Sequence, residues 1–178
     1  MEFKFFKDFD LTNFWSECSY SSRDYIEDAL DQEMIESIEK QLGYKLPDSY
    51  IELMKTQNGG LVNKSCFPTD ESNSWAEDHI AITGFLGIGR TKTNSLCGAL
   101  GSQFMIDEWG YPAIGVYIAD CPSAGHDMIL LDYSKCGKDG EPEVVHVDQE
   151  NDYKKIFLAK DFETFIRGLE QEEKYDSE

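Results

Sequence analysis

The sequence predicts a single α+β domain, with helices at both ends packed on a mainly antiparallel sheet of about five or six strands. Three observations carry this expectation. The stretch Met34 to Gly60 holds two apolar stripes at helical spacing, complete with start and stop signals. Three strand-like apolar runs follow in the second half, joined by loops that leave no room for a crossover helix. Near the end, Phe162, Phe165, Ile166 and Leu169 fall at i, i+3, i+4 and i+7 behind the capping residue Asp161, which is the pattern of a core-facing helix.

Taken in order, residues 1–30 form an aromatic-rich extension with Phe3, Phe5, Phe6, Phe9, Leu11, Phe14 and Trp15, a density too high for a disordered tail. Asp10 or Thr12 is placed to cap a short helix through Trp15, and Tyr25-Ile26 with Ala29-Leu30 marks another helical turn. In the hairpin proper, Met34, Ile35, Ile38 and Leu42 share a face between the cap Asp31 and the stop Gly43. Pro47 then suits a helix start, where no N–H is needed, and Asp48 favours the positive end of that helix. Tyr50, Leu53 and Met54 give the second helix its apolar face, and Asn58-Gly59-Gly60 stops it.

Extended patterning follows in LVNKSCFPT and HIAITGFLGIG, where Ile80, Ile82 and Gly84 share a face, with the polar loop TDESNSWAEDH between them. TKTNSLCGALGSQFMIDEWG reads as irregular with a turn or two of helix, because Gly98 and Gly101 weaken a long one. Ile114, Val116 and Ile118 then alternate, Met128 to Leu131 is a continuous buried run, and Val144, Val145 and Val147 form a third strand. One core is expected to unite Ile38, Leu42, Leu53, Phe165 and Leu169 with Val116, Leu130 and Val145. Residues 171–178 read as an acidic, frayed tail on a domain that spans 1–178.

Composition narrows the function classes. Thirty-five acidic residues against 16 basic ones give a net charge of -19, a field that repels phosphate backbones and anionic lipid, so neither nucleic acid nor membrane is an expected partner. Five scattered cysteines, an odd count without close pairs, suit a reduced, cytoplasmic protein. The N-terminus lacks the apolar run of a secretory signal, and no segment is long and apolar enough to span a bilayer.

The search for a catalytic set comes out negative. Gly84 to Thr91 imitates the spacing of a phosphate-binding loop with Arg90 in place of the lysine, and MILLD imitates a magnesium-binding strand, but TKTNSLCG is a poor helix start. Ser123 near His126 lacks the glycine-flanked strand-to-helix elbow of a nucleophile. Cys121, His126, Cys136 and His146, with Asp127, Asp132 and Asp148, supply donor atoms of the right kind for a metal, but no pair has the short spacing of a zinc knuckle. No enzyme activity, metal or cofactor is expected.

The string IEKQLGYKLPDSY with its closing NGG resembles the N-terminal signature of the SUKH superfamily, which includes bacterial immunity proteins and fungal regulators of cell-wall synthesis. YPAIGVYIAD, GHDMILLDY and VVHVDQ followed by FLAKDFETFIRGL fit the same pattern, so the resemblance covers roughly residues 31 to 170. It implies the same helix-flanked sheet and a non-catalytic, protein-binding role. The expected function is an immunity protein that neutralises a basic toxin domain by stoichiometric binding; the alternative is an intracellular regulatory scaffold of the cell-wall type. Two places combine carboxylates for charge with aromatics for anchoring. They are Asp70, Glu71, Trp75, Glu77 and Asp78 in the first long loop, and Asp107, Glu108, Trp109 and Tyr111 ahead of the middle strand.

Overall fold

One carboxylate fixes the aromatic N-terminal stretch to the rest of the chain: Glu52 accepts the backbone N–H groups of Lys4, Phe5 and Phe6 at 2.6, 3.0 and 3.0 Å. In this computed structural model, which describes residues 2–176, the stretch lies as turns with Phe6 and Phe14 buried in the core. The expected helix through Trp15 is absent, because the Asp10 side chain closes a local turn on the Thr12 N–H at 2.9 Å and Trp15 pairs with Val62 instead. The first helix, α1 (Ser19–Asp24), lies earlier than the turn expected at Tyr25–Leu30, and its cap is unusual: the Cys18 sulfur accepts the Ser21 N–H.

The helical hairpin forms where its signals stand. Asp31 caps α2 (Gln32–Leu42) by accepting the Met34 N–H at 2.8 Å, and Gly43 ends it in the left-handed region at φ 82°. The turn is held when the Glu39 carboxylate accepts the Leu46 N–H at 2.7 Å, after which α3 (Asp48–Thr56) starts behind Pro47. At its far end Asn58 is buried and bridges two segments, donating to the carbonyls of Asp28 and Ile88 and accepting the Ile88 N–H at 2.7 Å. Gly59 is required beside it: its φ is 96°, and a Cβ there would meet the Tyr25 carbonyl at 2.7 Å.

The strands β1 (Gly60–Leu61), β4 (Gly84–Phe85), β5 (Gly115–Asp120), β6 (Asp127–Asp132), β7 (Glu143–Asp148) and β8 (Lys154–Ala159) form one antiparallel sheet in the order β1-β4-β5-β6-β7-β8. A separate two-stranded ribbon pairs β2 (Cys66–Pro68) with β3 (His79–Ala81). Helix α4 (Ser102–Trp109) precedes β5, and α5 (Phe162–Gly168) follows β8. Asp161 caps α5 by accepting the Thr164 N–H at 2.9 Å. The α+β expectation therefore holds, with six strands in the main sheet.

The single core expected from the sequence is two. On one face Val116, Ile118, Ile129, Leu131, Val144, Ile156 and Leu158 pack with Ile38, Leu53, Phe162, Phe165 and Leu169. On the other, Tyr117, Met128, Leu130, Val145 and Val147 pack with Met105 and Tyr111. Leu130 and Val145 thus belong to a separate layer from Phe165, because neighbours on a strand point to opposite faces. A β-bulge in β5 leaves Ile118 as the extra residue between the pairs Tyr117–Leu130 and Ala119–Ile129. At the C-terminus, Glu172–Tyr175 forms a 3-10 turn where a frayed tail is expected; Tyr175 stacks on His79 at 4.0 Å and its hydroxyl bonds Glu170 at 2.5 Å. Residues 177 and 178 lie outside the described residues.

Candidate functional site

The loop between β2 and β3 presents Trp75 with its side chain 49% exposed, yet the backbone beneath it is pinned on several sides. The Asn73 carbonyl oxygen of the side chain accepts the N–H groups of Trp75 and Ala76 at 2.8 and 3.0 Å, an Asx turn, while its amide donates to the His79 carbonyl at 2.9 Å. Ser74 donates its N–H to the buried carboxylate of Asp148 at 2.8 Å, which fastens the loop to the end of β7. Asp70, Glu71, Glu77 and Asp78 are all exposed around this tryptophan. Glu71 meets Lys154 of β8 at 3.2 Å, and Asp78 meets His79 at 2.8 Å.

The second predicted cluster divides. Asp107 and Glu108 are exposed on α4, and Trp109 is half-buried against the turn 122–126, standing edge-on to His126 with centroids 5.2 Å apart. Tyr111 is only 2% exposed and does not belong to a contact surface. It is a core residue whose hydroxyl donates to the Gly125 carbonyl at 2.6 Å, so it holds the same turn from below. Ala124 and Gly125 adopt φ of 58° and 97°, which makes this turn tight enough for Trp109 to lie on it. Beside it, Tyr20, Leu100, Phe104, Met105 and Trp109 line a groove of about 430 Å3 with Asp120 at its edge. Sequence reasoning passes over Tyr20 and Leu100, which are 42% and 44% exposed; nothing in their neighbours distinguishes them from core residues.

Both clusters border the same element, the connection from β7 to β8. Ser74 and Glu71 reach Asp148 and Lys154 from one side, and the Trp109 carbonyl accepts the Tyr153 hydroxyl at 2.5 Å on the other.

The catalytic imitations dissolve in the structure. Gly84 to Thr91 runs from β4 into turns, and N–H groups along it are spent within the chain, Leu86 on the Ile118 carbonyl, Ile88 on the Asn58 side chain and Thr91 on Glu27. Glu27 accepts the backbone N–H groups of Thr91 and Lys92 at 2.7 and 3.1 Å and the hydroxyls of Thr91 and Ser95 at 2.5 and 2.6 Å. Burial would raise the Glu27 carboxyl, but these bonds, led by Ser95 and Thr91, hold it below the ordinary value. Ser123 spends its hydroxyl on Asp127, whereas His126 turns to Gln149 and Glu150 at 3.1 and 2.6 Å, so the two do not form a dyad.

Sequence spacing fails for the metal donors, since the fold gathers residues that are distant in the chain. Cys121, Asp127 and His146 are buried, with one ligand atom of each within 4.8 Å of the others. His146 Nε2 lies 2.7 Å from Asp127 Oδ2. Burial pushes the Cys121 thiol well up, and the carboxylates of Asp127, Asp120 and Asp148 push it further. His126 and Cys136 are not part of this cluster. All five cysteines are free thiols.

The architecture defines the class: a helical hairpin and a terminal helix on one face of an antiparallel sheet, with a pinned aromatic loop at one end. A family model described as SMI1-KNR4 cell-wall, a SUKH model, matches residues 32–166, from the first turn of α2 to α5. The chain belongs to this family. No curated protein matches it significantly. Among the described residues no helix is long and apolar enough to cross a membrane.

Proposed function

We propose that this chain is a non-catalytic protein-binding domain of the immunity type, which neutralises a basic toxin domain by one-to-one association. The observation that carries this reading is Trp75: a large aromatic, half exposed, on a backbone already ordered by Asn73 and Asp148, with four exposed carboxylates around it. An anchor of this kind has little entropy left to lose on binding, and tryptophan is among the residues that dominate interface energetics. The surrounding carboxylates and the net charge of -19 favour a basic partner, chiefly by speeding encounter. Trp109, Asp107 and Glu108 lie on the other side of the β7–β8 connection, with Trp109 against the opposite layer of the sheet, and form a second, separate candidate contact. The cytoplasm is the compartment that suits five unpaired thiols.

The family description favours a second reading, an intracellular scaffold that regulates cell-wall synthesis. It uses the same surface and differs in the partner. Affinity capture with the purified chain in its source lysate, followed by mass spectrometry, separates the two. The immunity reading expects a basic protein domain at one-to-one stoichiometry whose toxicity is suppressed by co-expression of this chain. A partner from wall synthesis, with no growth defect to suppress, would replace it with the scaffold reading.

A further inference from the structure

At the end of the sheet beneath the Trp75 loop, donors of three chemical kinds meet without solvent. Asp127 pairs directly with Asp148 across β6 and β7, and continuing the β5–β6 register past Asp120–Met128 sets Cys121 opposite Asp127. Directly opposed residues stand about 5 Å apart at Cβ, so the three form a row across the sheet, with His146 one step inward on the same face. Their exposures are 3% for Cys121, 4% for Asp127, 0% for His146 and 1% for Asp148.

This arrangement is incomplete on its own. Asp127 and Asp148 are two buried carboxylates side by side, and among the described residues no lysine or arginine pairs with either; the one basic side chain in reach is the His146 ring, 2.7 Å from Asp127. Asp148 Oδ1 and His146 Nδ1 are buried without any hydrogen-bond partner. Leaving such atoms unpaired is costly in a protein interior, and a buried anionic cluster calls for a compensating cation. Each carboxylate is also held from outside the cluster by one oxygen only: Ser123 bonds Asp127 Oδ1, and the Ser74 N–H bonds Asp148 Oδ2 at 2.8 Å. The other oxygen of Asp127 meets His146, and the other oxygen of Asp148 has no partner, so neither is spent on the surrounding chain, as is usual for metal ligands held by outer-shell bonds.

We propose that Cys121, Asp127 and His146, with Asp148 buried beside them, form a site for one divalent transition-metal ion of the zinc class. A thiolate, an imidazole and carboxylates are the donor set of zinc and its borderline neighbours, whereas magnesium and calcium take oxygen alone. Metal enters by exchange for protons: the thiol proton of Cys121 leaves to solvent, as does the proton shared between His146 and Asp127, and no redox change is involved. Because Asp148 also fastens Ser74, a filled site braces the loop that carries Trp75. The proposal does not depend on which partner the protein binds.

The test is a titration of the chelator-treated full chain with cobalt(II). The expected result is one cobalt per chain, with the near-ultraviolet thiolate-to-cobalt band and the intense visible bands of tetrahedral coordination, both bleached by zinc. Cys121→Ser, shown to be folded by circular dichroism, should lose the thiolate band, and Asp148→Asn should bind at least ~10-fold more weakly. Glu77→Lys/Asp78→Lys, which changes only surface carboxylates, should bind as the wild type does. Stoichiometric binding without the thiolate band, a band that survives in Cys121→Ser, or no cobalt uptake at all would overturn the proposal.

Discussion

Replacing Glu27 with alanine should destabilise the fold markedly, because its carboxylate is the partner of several donors at once. It accepts two backbone N–H groups, from Thr91 and Lys92, and two hydroxyls, from Thr91 and Ser95. The hydroxyls can rotate towards other acceptors, but the two N–H groups are fixed by the backbone. A donor left unsatisfied costs about 1–3 kcal/mol, and bonds to a charged acceptor are worth about 1.5–3 kcal/mol each, so Glu27→Ala should cost roughly 3–5 kcal/mol. The sign with pH follows from the depressed carboxyl. Stability from this group is fully present above the ordinary glutamate value of 4.5 and is lost as pH falls through the lower folded value. Urea unfolding of wild type and Glu27→Ala at neutral pH and near pH 3 is the assay, read as a shift in midpoint at unchanged slope. The gap between the two proteins should be full at neutral pH and narrow in acid. A loss under ~1 kcal/mol, or a gap that widens in acid, would refute the assignment of these bonds to the ionised carboxylate.

Other expectations can be checked by the same unfolding assay. Phe165, fully buried and stacked on Phe67 at 5.1 Å, should cost about 3–5 kcal/mol as Phe165→Ala, and an unchanged midpoint would count against the packing described. Leu130→Ala in the opposite layer should add to Phe165→Ala within about 0.5 kcal/mol, whereas strong coupling in the double variant would mean one core and not two. Asp161→Ala removes the cap of α5 and should cost ~1 kcal/mol, with no effect indicating that water replaces the cap freely.

Features set by neighbours in the chain were readable before the fold was known. Asp31, Gly43 and Asp161 act as the sequence implies, because a cap bonds to a residue three or four positions away. Helix α1 escaped detection since its cap is a cysteine, a residue with no strong capping preference. Strand β8 was also missed: Lys154 to Ala159 carries an outward Phe157, 56% exposed, so its alternation reads as an unbroken apolar run. The run Met128 to Leu131 announces burial on both faces without saying what covers each, so the sequence alone groups Leu130 and Val145 with Phe165, whereas the fold puts them in the opposite layer. The exposed Trp75 loop could be proposed from its polar flanks, while Tyr111 could not be told from a surface aromatic. The Cys121, Asp127, His146 and Asp148 cluster is created by strand register alone, so no local spacing reveals it.

The binding surface is tested most directly by calorimetric titration of the captured partner into wild type, Trp75→Ala and Glu77→Lys/Asp78→Lys, at low and high salt, with unfolding midpoints measured alongside. A one-to-one complex is predicted, weakened by ~2 kcal/mol or more in Trp75→Ala at either salt concentration. The charge reversals should weaken it mainly at low salt. Unchanged midpoints would show that the fold is intact in each case. Wild-type affinity in both variants would contradict the proposal that this face meets the partner.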